Sequence, residues 1–225
     1  MKNLFEEFKL EKSQIDVFEK YENLLLEWNE KFNLTAITKP EEIEEKHYVD
    51  SLEILKYFDL KNKTLLDVGT GAGFPGIVLA IAEPKLRVTL LESNGKKVSF
   101  LKEVISQLKL NNIDVVQGRA EMLKQRENFD VVTARAVKEL NILLEIAFHL
   151  VKVGGSLIAY KGSNGEEEVK KAAHALKALQ VGDVRVINYE LPVSKDGRTL
   201  VEVKKNIHTI KKYPRDYSEI VKKPL

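Results

Sequence analysis

The sequence of 225 residues contains no cysteine, which excludes disulfide bonds and thiolate-bound zinc. The same absence excludes cytosine-C5 methylation, because that reaction needs a cysteine nucleophile. No apolar run reaches the roughly 18 residues that would span a membrane, and residues 1–8 carry charges too early for a signal peptide. The four scattered histidines have no metal-ligand spacing, so we predict no metal site. We expect a soluble, cytoplasmic monomer with no membrane partner.

The whole chain has no large excess of either charge, because its net charge is only +2, but the charge is unevenly distributed along the sequence. Residues 1–60 hold 8 Lys/Arg and 15 Asp/Glu, whereas residues 204–225 hold 7 and 2. A basic tail suits a polyanionic partner such as RNA, although a merely solvated tail has the same composition. We predict a helical cap over residues 1–60, a main domain over 61–205 and a basic tail over 206–225.

The N-terminal segment has the apolar spacing of a helix. Phe18, Tyr21, Leu25 and Trp28 are separated by three or four residues and form one stripe, which we expect to pack as core. A second helix is predicted to follow Thr38, because Glu41 completes a capping-box pattern. From residue 63 onward, strand and helix patterns alternate, which predicts a mostly parallel sheet with helices on both faces. The predicted strands are 63–68, 86–92, 113–117, 129–134, 155–161, 183–191 and 199–204, with helices at 75–83, 95–109, 138–150 and 165–179.

Residues 67–76, Asp-Val-Gly-Thr-Gly-Ala-Gly-Phe-Pro-Gly, lie between the first of these strands and a helix. Glycines allow positive φ and a close approach of the backbone to a ligand, and the free N–H groups of a helix start point at that ligand. Gly71 begins a G-x-G-x-x-G match, and Glu92 follows it by 21 residues, so NAD is possible on spacing alone. The sequence therefore predicts a site for a nucleotide-like cofactor.

Asp67 favours a different cofactor. A carboxylate at the strand end would repel a pyrophosphate but would attract the ammonium and sulfonium of S-adenosylmethionine. We predict that Asp67, Gly69 and Gly71 bind this cofactor and that Glu92 holds its ribose hydroxyls. The pattern resembles the Rossmann-like S-adenosylmethionine-dependent methyltransferase fold, which predicts an α/β protein with a seven-stranded, mostly parallel sheet. Its last two strands would form an antiparallel hairpin, with the turn at Asp196-Gly197.

Further candidates follow the third, fourth and fifth strands. Ala120 and Glu121 are expected to border adenine, although an acid there also suits a helix start. Arg135 is expected to face the reacting methyl and to bind guanine, phosphate or the cofactor's carboxylate, the alternative being a surface salt bridge. Lys161 lies on the same rim and would steady a phosphate or guanine O6, or be an exposed charge. Phe74 would cover the cofactor or simply pack.

No obvious general base accompanies these residues. Methyl transfer is an in-line displacement, in which the protein mainly aligns donor and acceptor. Guanine N7 has a free lone pair and no proton, so it needs no base. The sequence is compatible with this nucleophile but does not establish it.

The combined motifs closely resemble the glucose-inhibited division protein B family, bacterial methyltransferases of small-subunit ribosomal RNA. The resemblance spans nearly the whole chain. Its segments are residues 33–37, 47–52, 67–76, 91–101, 118–121, 133–137, 161–162, 213–215 and 223–225. The tail departs from the family, because Asp216-Tyr217-Ser218 stand where another basic residue and a glycine are frequent.

This resemblance implies N7-methylation of guanine 527 of 16S ribosomal RNA, either free or in the small ribosomal subunit. The implied cofactor contacts are Gly69, Phe74, Ala120, Glu121 and Arg135. The family's cap motif corresponds to Asn33, His47 and Asp50, with a structural or RNA-facing role. We expect Arg135 and Lys161 to be catalytic and Lys138, Arg198 and Arg215 to bind RNA. The alternatives are an NAD-linked oxidoreductase and a non-catalytic RNA-binding module.

Overall fold

A computed structural model describes residues 5–225, in which seven strands form one sheet. The strands are β1 (Thr64–Val68), β2 (Arg87–Glu92), β3 (Ile113–Gln117), β4 (Phe129–Arg135), β5 (Val151–Gly162), β6 (Val184–Glu190) and β7 (Gly197–Lys204). Their order is β3-β2-β1-β4-β5-β7-β6, and β7 runs antiparallel to both of its neighbours. The other pairings are parallel. The predicted fold is therefore confirmed.

Helices cover both faces of this sheet. They are α1 (Lys12–Asn29), α2 (residues 40–52), α3 (Gly76–Ala82), α4 (Gly95–Leu108), α5 (Leu140–Ala147), α6 (Gly165–Lys171), α7 (Ala173–Ala178) and α8 (Tyr217–Lys222). Helix α2 consists of two α-helical segments, Pro40–Ile43 and Asp50–Leu52, joined by the π-helical segment Glu44–Val49. Short 3₁₀ turns occur at Glu6–Phe8, Glu53–Lys56, Ala120–Met122 and Phe148–Leu150. Across residues 5–225, none of the helices is both long and apolar enough to cross a membrane.

The predicted N-terminal stripe is core. Phe18, Tyr21 and Leu25 have no exposed surface, and the Trp28 ring lies 5.6 Å from that of Phe100 on α4. These side chains belong to one hydrophobic cluster with α3 and the facing side of β1 and β2. A second cluster, on the opposite face, contains α5, α7 and residues of the C-terminal tail. The part of the helical prediction and of the signal-peptide argument that concerns residues 1–4 lies outside the described residues.

Three local predictions were wrong. The hairpin turn is not at Asp196-Gly197, because Gly197 already pairs with Glu190 and the residue with positive φ is Lys195, at 60°. Strand β5 starts at Val151, opposite Phe129, before a register shift that the sequence pattern does not signal. The single helix predicted over 165–179 is divided into α6 and α7, because Ala172 between them departs from helical geometry.

Candidate active site

The glycine-rich loop connects β1 to α3 in the conformation expected for a cofactor loop. Gly69 and Gly71 have φ of +63° and +61°, a region that other residues rarely adopt. Gly69 is exposed, and a Cβ there would lie 2.9 Å from Cγ2 of Val137. The loop therefore approaches the segment after β4 more closely than any side chain at position 69 would allow.

The Asp67 carboxylate points into this loop and has no exposed surface. Its Oδ2 accepts hydrogen bonds from Thr70 Oγ1 at 2.6 Å and the Gly76 amide at 2.9 Å, and its Oδ1 accepts one from Thr133 Oγ1 at 3.1 Å. Burial raises the pKa of Asp67 to about 6, although these hydrogen bonds act in the opposite direction. The position predicted for Asp67 is correct, but its carboxylate stabilises the loop from inside and does not line the mouth.

Glu92, at the end of β2, is bonded to the same loop. Its Oε2 accepts a hydrogen bond from the Gly71 amide at 3.0 Å, and its Oε1 accepts one from the Asn94 amide at 2.8 Å. Two residues predicted to hold the cofactor are thus in direct contact with each other. The side chain is buried, so these bonds determine where its carboxylate lies.

A first cavity, of about 190 Å³, lies over the ends of β1, β2 and β3. The predicted residues Gly69, Ala120 and Glu121 all line it. Among the described residues, Glu121 Oε1 is buried without a hydrogen-bond partner, and Arg119 Nη1 lies 3.9 Å from it. A buried acceptor without a donor costs free energy, so this atom suits the N–H group of a ligand.

A second, larger cavity of about 600 Å³ lies between α2 and the ends of β4, β5 and β7. Most of its lining residues are charged or polar: Lys46, His47, Asp50, Arg135, Lys138, Glu139, Tyr160, Lys161, Glu168 and Arg198. Val137 and Lys138 line both cavities, so the two spaces meet at the segment that follows β4. Four of the residues predicted as catalytic or RNA-binding therefore lie around one space.

Arg135 connects β4 to α2. Its Nη1 donates hydrogen bonds to the Lys46 carbonyl at 3.1 Å and to Asp50 Oδ2 at 2.9 Å, and its Nη2 donates to His47 Nδ1 at 3.1 Å. The guanidinium also lies 5.1 Å from the centre of the Phe74 ring. Arg135 is thus held in place by the cap and is not a solvated surface charge.

His47 stacks on Phe74 with ring centres 4.3 Å apart, which puts Phe74 against the cap. Burial, and then the charge of Arg135, lower the pKa of His47 to about 3. The ring is therefore neutral, and since Nδ1 accepts from Arg135, Nε2 carries the proton and donates to Thr35 Oγ1 at 2.9 Å. Both ring nitrogens are occupied within the protein.

Lys161 and Arg215 have partners that the sequence does not indicate. Lys161 Nζ donates to the Lys138 carbonyl at 2.6 Å and pairs with Glu168 at 2.7 Å. Arg215 lies outside both cavities, where its Nε and Nη2 donate to the two oxygens of buried Glu145 at 2.5 and 2.6 Å. Sequence reasoning also missed Val137 and Tyr217, which line the first cavity but belong to no pattern that identifies a ligand site.

Comparison with known proteins agrees with this geometry. A family profile described as GidB, rRNA small subunit methyltransferase G, matches residues 14–195. A relative from Thermoanaerobacter sp. (strain X514), named "Ribosomal RNA small subunit methyltransferase G", is 47% identical over 221 residues and aligns over 96% of this chain and 92% of its own length. A protein of the same name from Desulforamulus reducens is 44% identical over 224 residues, covering 97% and 93%.

Solved structures share the fold. A SAM-dependent methyltransferase from Aquifex aeolicus has a TM-score of 0.56 at 22% identity, covering 73% of this chain and 93% of that one. The TYW2 protein of M. jannaschii, in complex with AdoMet, has a TM-score of 0.54 at 18% identity and covers 69% and 74%. Neither an oxidoreductase nor a non-catalytic RNA-binding module gains support from these matches. The profile match, together with 47% identity over nearly the full length of a relative, establishes that this chain belongs to the GidB family of rRNA small subunit methyltransferases, as its motifs predict.

Proposed function

We propose that the protein transfers a methyl group from S-adenosylmethionine to N7 of guanine 527 in 16S ribosomal RNA. The observation that carries the proposal is the junction of the two cavities at Val137 and Lys138. One cavity is small and offers backbone and a carboxylate oxygen, whereas the other is large and has five cationic and three acidic side chains in its lining. A donor and an acceptor held in these two spaces would meet beside Val137.

The residues around the first cavity fit the cofactor. Gly69 exposes backbone, Ala120 borders the same space, and the unpaired Oε1 of Glu121 would accept a hydrogen bond from the adenine amine. Glu92 would hold the ribose from the end of β2, while Asp67 keeps the loop in shape from inside. S-adenosylmethionine supplies an electrophilic methyl group on a sulfonium, so the protein has to align that group with an acceptor.

The second cavity suits a nucleophile that needs no general base. His47 is neutral, but both of its ring nitrogens have partners, and Asp50 is bonded to Arg135. Guanine N7 carries no proton, so its alkylation asks for orientation and not for proton removal. This matches an acceptor site in which His47, Asp50 and Arg135 bond to one another, although the lining also includes the exposed Glu139.

Arg135 and Lys161 would act by positioning. Three of the five N–H groups of Arg135 have partners, so two remain to contact guanine O6 or a phosphate. Lys161 would hold the wall between the cavities through the carbonyl of Lys138. Lys138 and Arg198 would present cationic side chains to RNA phosphates.

Methylation of purified substrates in vitro tests this proposal. Naked 16S RNA, assembly intermediates and finished small subunits from cells lacking the protein would be incubated with tritiated S-adenosylmethionine. The modified position would be mapped by borohydride and aniline cleavage at N7-methylguanine. We expect one methyl group at guanine 527 in at least one of these substrates. We also propose that the protein acts as a monomer in the cytoplasm. Methylation at another atom, or none in all three, would contradict the proposal.

A further inference from the structure

The C-terminal tail contributes an aromatic side chain to the first cavity. Tyr217, the first residue of α8, lines this cavity together with Ala120 and Glu121. Its ring also faces the guanidinium of Arg119, whose Cζ lies 5.2 Å from the ring centre. The tail was expected to bind RNA, but its residue Tyr217 forms part of the wall of the first cavity, which Gly69 of the glycine-rich loop also lines.

A rigid scaffold holds Tyr217 in this position. Ile220, one turn further along α8, has no exposed surface and belongs to the hydrophobic cluster around α5. Arg215 pairs with Glu145 of α5, and its Nη2 also donates to the Lys223 carbonyl at 3.1 Å. These contacts attach the chain immediately before and after α8, so they fix the place of the Tyr217 backbone beside the cavity.

The orientation of the cavity indicates which part of the cofactor meets this ring. Ala120 and Glu121 follow β3, and the unpaired Oε1 of Glu121 suits the exocyclic amine of adenine. Gly69 and Val137 lie towards β4 and the second cavity, where the methyl group would be transferred. A purine bound near Glu121 would therefore be next to Tyr217, and aromatic rings are good stacking partners for purines.

We propose that Tyr217 is a cofactor-binding residue whose ring packs against the adenine of S-adenosylmethionine, with the Arg119 guanidinium, which lines the same cavity, in contact with the ring. The inference rests on the proposed function, because it assumes this cofactor. An RNA base stacked on Tyr217 is the competing outcome.

Calorimetric binding of S-adenosylhomocysteine and of adenosine tests the inference without measuring activity. We expect Tyr217→Ala to raise the dissociation constant of both ligands roughly tenfold, equivalent to about 1.4 kcal/mol. Tyr217→Phe keeps the ring and should bind within about twofold of the unmodified protein. Ser218→Ala, an exposed neighbour, is the matched control and should have no effect.

If Tyr217→Ala binds both ligands within twofold of the unmodified protein, the inference is overturned. It is also overturned if the substitution weakens the binding of RNA but not that of the two ligands. A loss in Tyr217→Phe as large as in Tyr217→Ala would also overturn it, because the hydroxyl and not the ring face would then matter. Failure of the unmodified protein to bind either ligand would instead refute the proposed function, and the inference with it.

Hydrogen exchange on the unmodified protein keeps the test independent of whether Tyr217→Ala folds. Saturating S-adenosylhomocysteine should slow amide exchange in residues 217–222 as well as in the loop at residues 69–76. Protection of the loop with unchanged exchange in α8 would overturn the inference. Arg119→Gln offers a second variant that should not threaten folding, because this side chain is more than half exposed. We expect it to weaken both ligands two- to threefold.

Discussion

Nη1 of Arg135 donates a hydrogen bond of 2.9 Å to Oδ2 of Asp50, which joins the end of β4 to helix α2. The other carboxylate oxygen of Asp50 accepts a hydrogen bond from the Tyr189 hydroxyl at 2.8 Å. One buried carboxylate therefore connects the cap to both β4 and β6. The wall of the second cavity depends on this carboxylate as much as on the arginine.

Arg135→Ala should abolish methyl transfer and destabilise the fold. It leaves buried Asp50 with only the more distant Arg198, 3.8 Å away, as a cationic partner. Loss of the closer partner costs about 3 kcal/mol for a pair this little exposed. Combining it with Asp50→Asn should recover part of the free energy of unfolding but no activity. Urea denaturation and tritiated-methyl incorporation into 16S RNA measure the two effects. Full activity in Arg135→Ala would remove this residue from the mechanism.

His47 should make the protein sensitive to acid. Its pKa is about 3 in the folded protein, below the ordinary value of 6.5, so its stabilising contribution is complete above pH 6.5 and is lost as the pH falls toward 3. At pH 4.5 the loss amounts to about 3 kcal/mol. His47→Gln can still accept from Arg135 and donate to Thr35, but it does not titrate.

Urea denaturation at pH 8 and pH 4.5 measures this effect. Asp67 acts in the opposite direction, because its pKa is raised to about 6 and its contribution is lost as the pH rises. Comparing the unmodified protein with His47→Gln removes the contribution of Asp67, which both share. The exposed His174→Gln serves as control. Equal acid sensitivity of the unmodified protein and His47→Gln would contradict the assigned role of burial.

The sheet was predictable from sequence because its evidence is local. Alternating strand and helix patterns predict parallel pairing, and the glycines at 69 and 71 predict positive φ at a strand end, as observed. Gly69 follows β1, and Ala120 and Glu121 follow β3 on the other side of β2, so their meeting at one edge of the sheet also follows from the topology. Asp67 led to the right class of cofactor through its charge, yet the same residue closes the loop from inside.

Contacts between distant parts of the chain could not be predicted in this way. Arg135 and Asp50 are separated by 85 positions, and no periodicity relates a strand end to a helix so far away. Arg215 looked like an RNA contact because the tail is basic, but charge counts do not reveal that Glu145 is buried beside it. Tyr217 carries no motif, and only the folded tail brings it to the first cavity.

Glu121→Gln should weaken ligand binding without lowering the stability of the free protein. The Oε1 atom is buried without a donor, so removing the charge should leave the free energy of unfolding unchanged or raise it. Binding of S-adenosylhomocysteine should weaken by roughly fivefold, because the glutamine oxygen still accepts a hydrogen bond but a neutral acceptor contributes about 1 kcal/mol less than a charged one. Thermal unfolding of the free protein and calorimetry check the two parts. A fall in stability with unchanged binding would assign Glu121 a structural role instead.

Lys138→Ala should weaken binding of 16S RNA at low salt and reduce the slope of log affinity against log salt by about one. The side chain is exposed where the two cavities meet, and an exposed lysine there suits a phosphate. Lys211→Ala, which removes an exposed lysine of the tail, is the comparison. A larger loss in Lys211→Ala than in Lys138→Ala would mean that the tail, and not the rim of the cavity, grips the RNA.

Gly69→Ala and Gly154→Ala form a matched pair for the cofactor loop. Both glycines have positive φ, at +63° and +86°, so each substitution strains the backbone by about 1–2 kcal/mol. Only at position 69 would the new Cβ also meet a neighbour, Val137 Cγ2 at 2.9 Å, whereas nothing lies within 4 Å at position 154. By urea denaturation we expect a loss of stability in both variants, larger in Gly69→Ala because of this contact, but loss of S-adenosylhomocysteine binding only in Gly69→Ala. Equal binding by the two would mean that the loop and the segment after β4 do not need their close approach, and the junction between the cavities would lose its support as the place of methyl transfer.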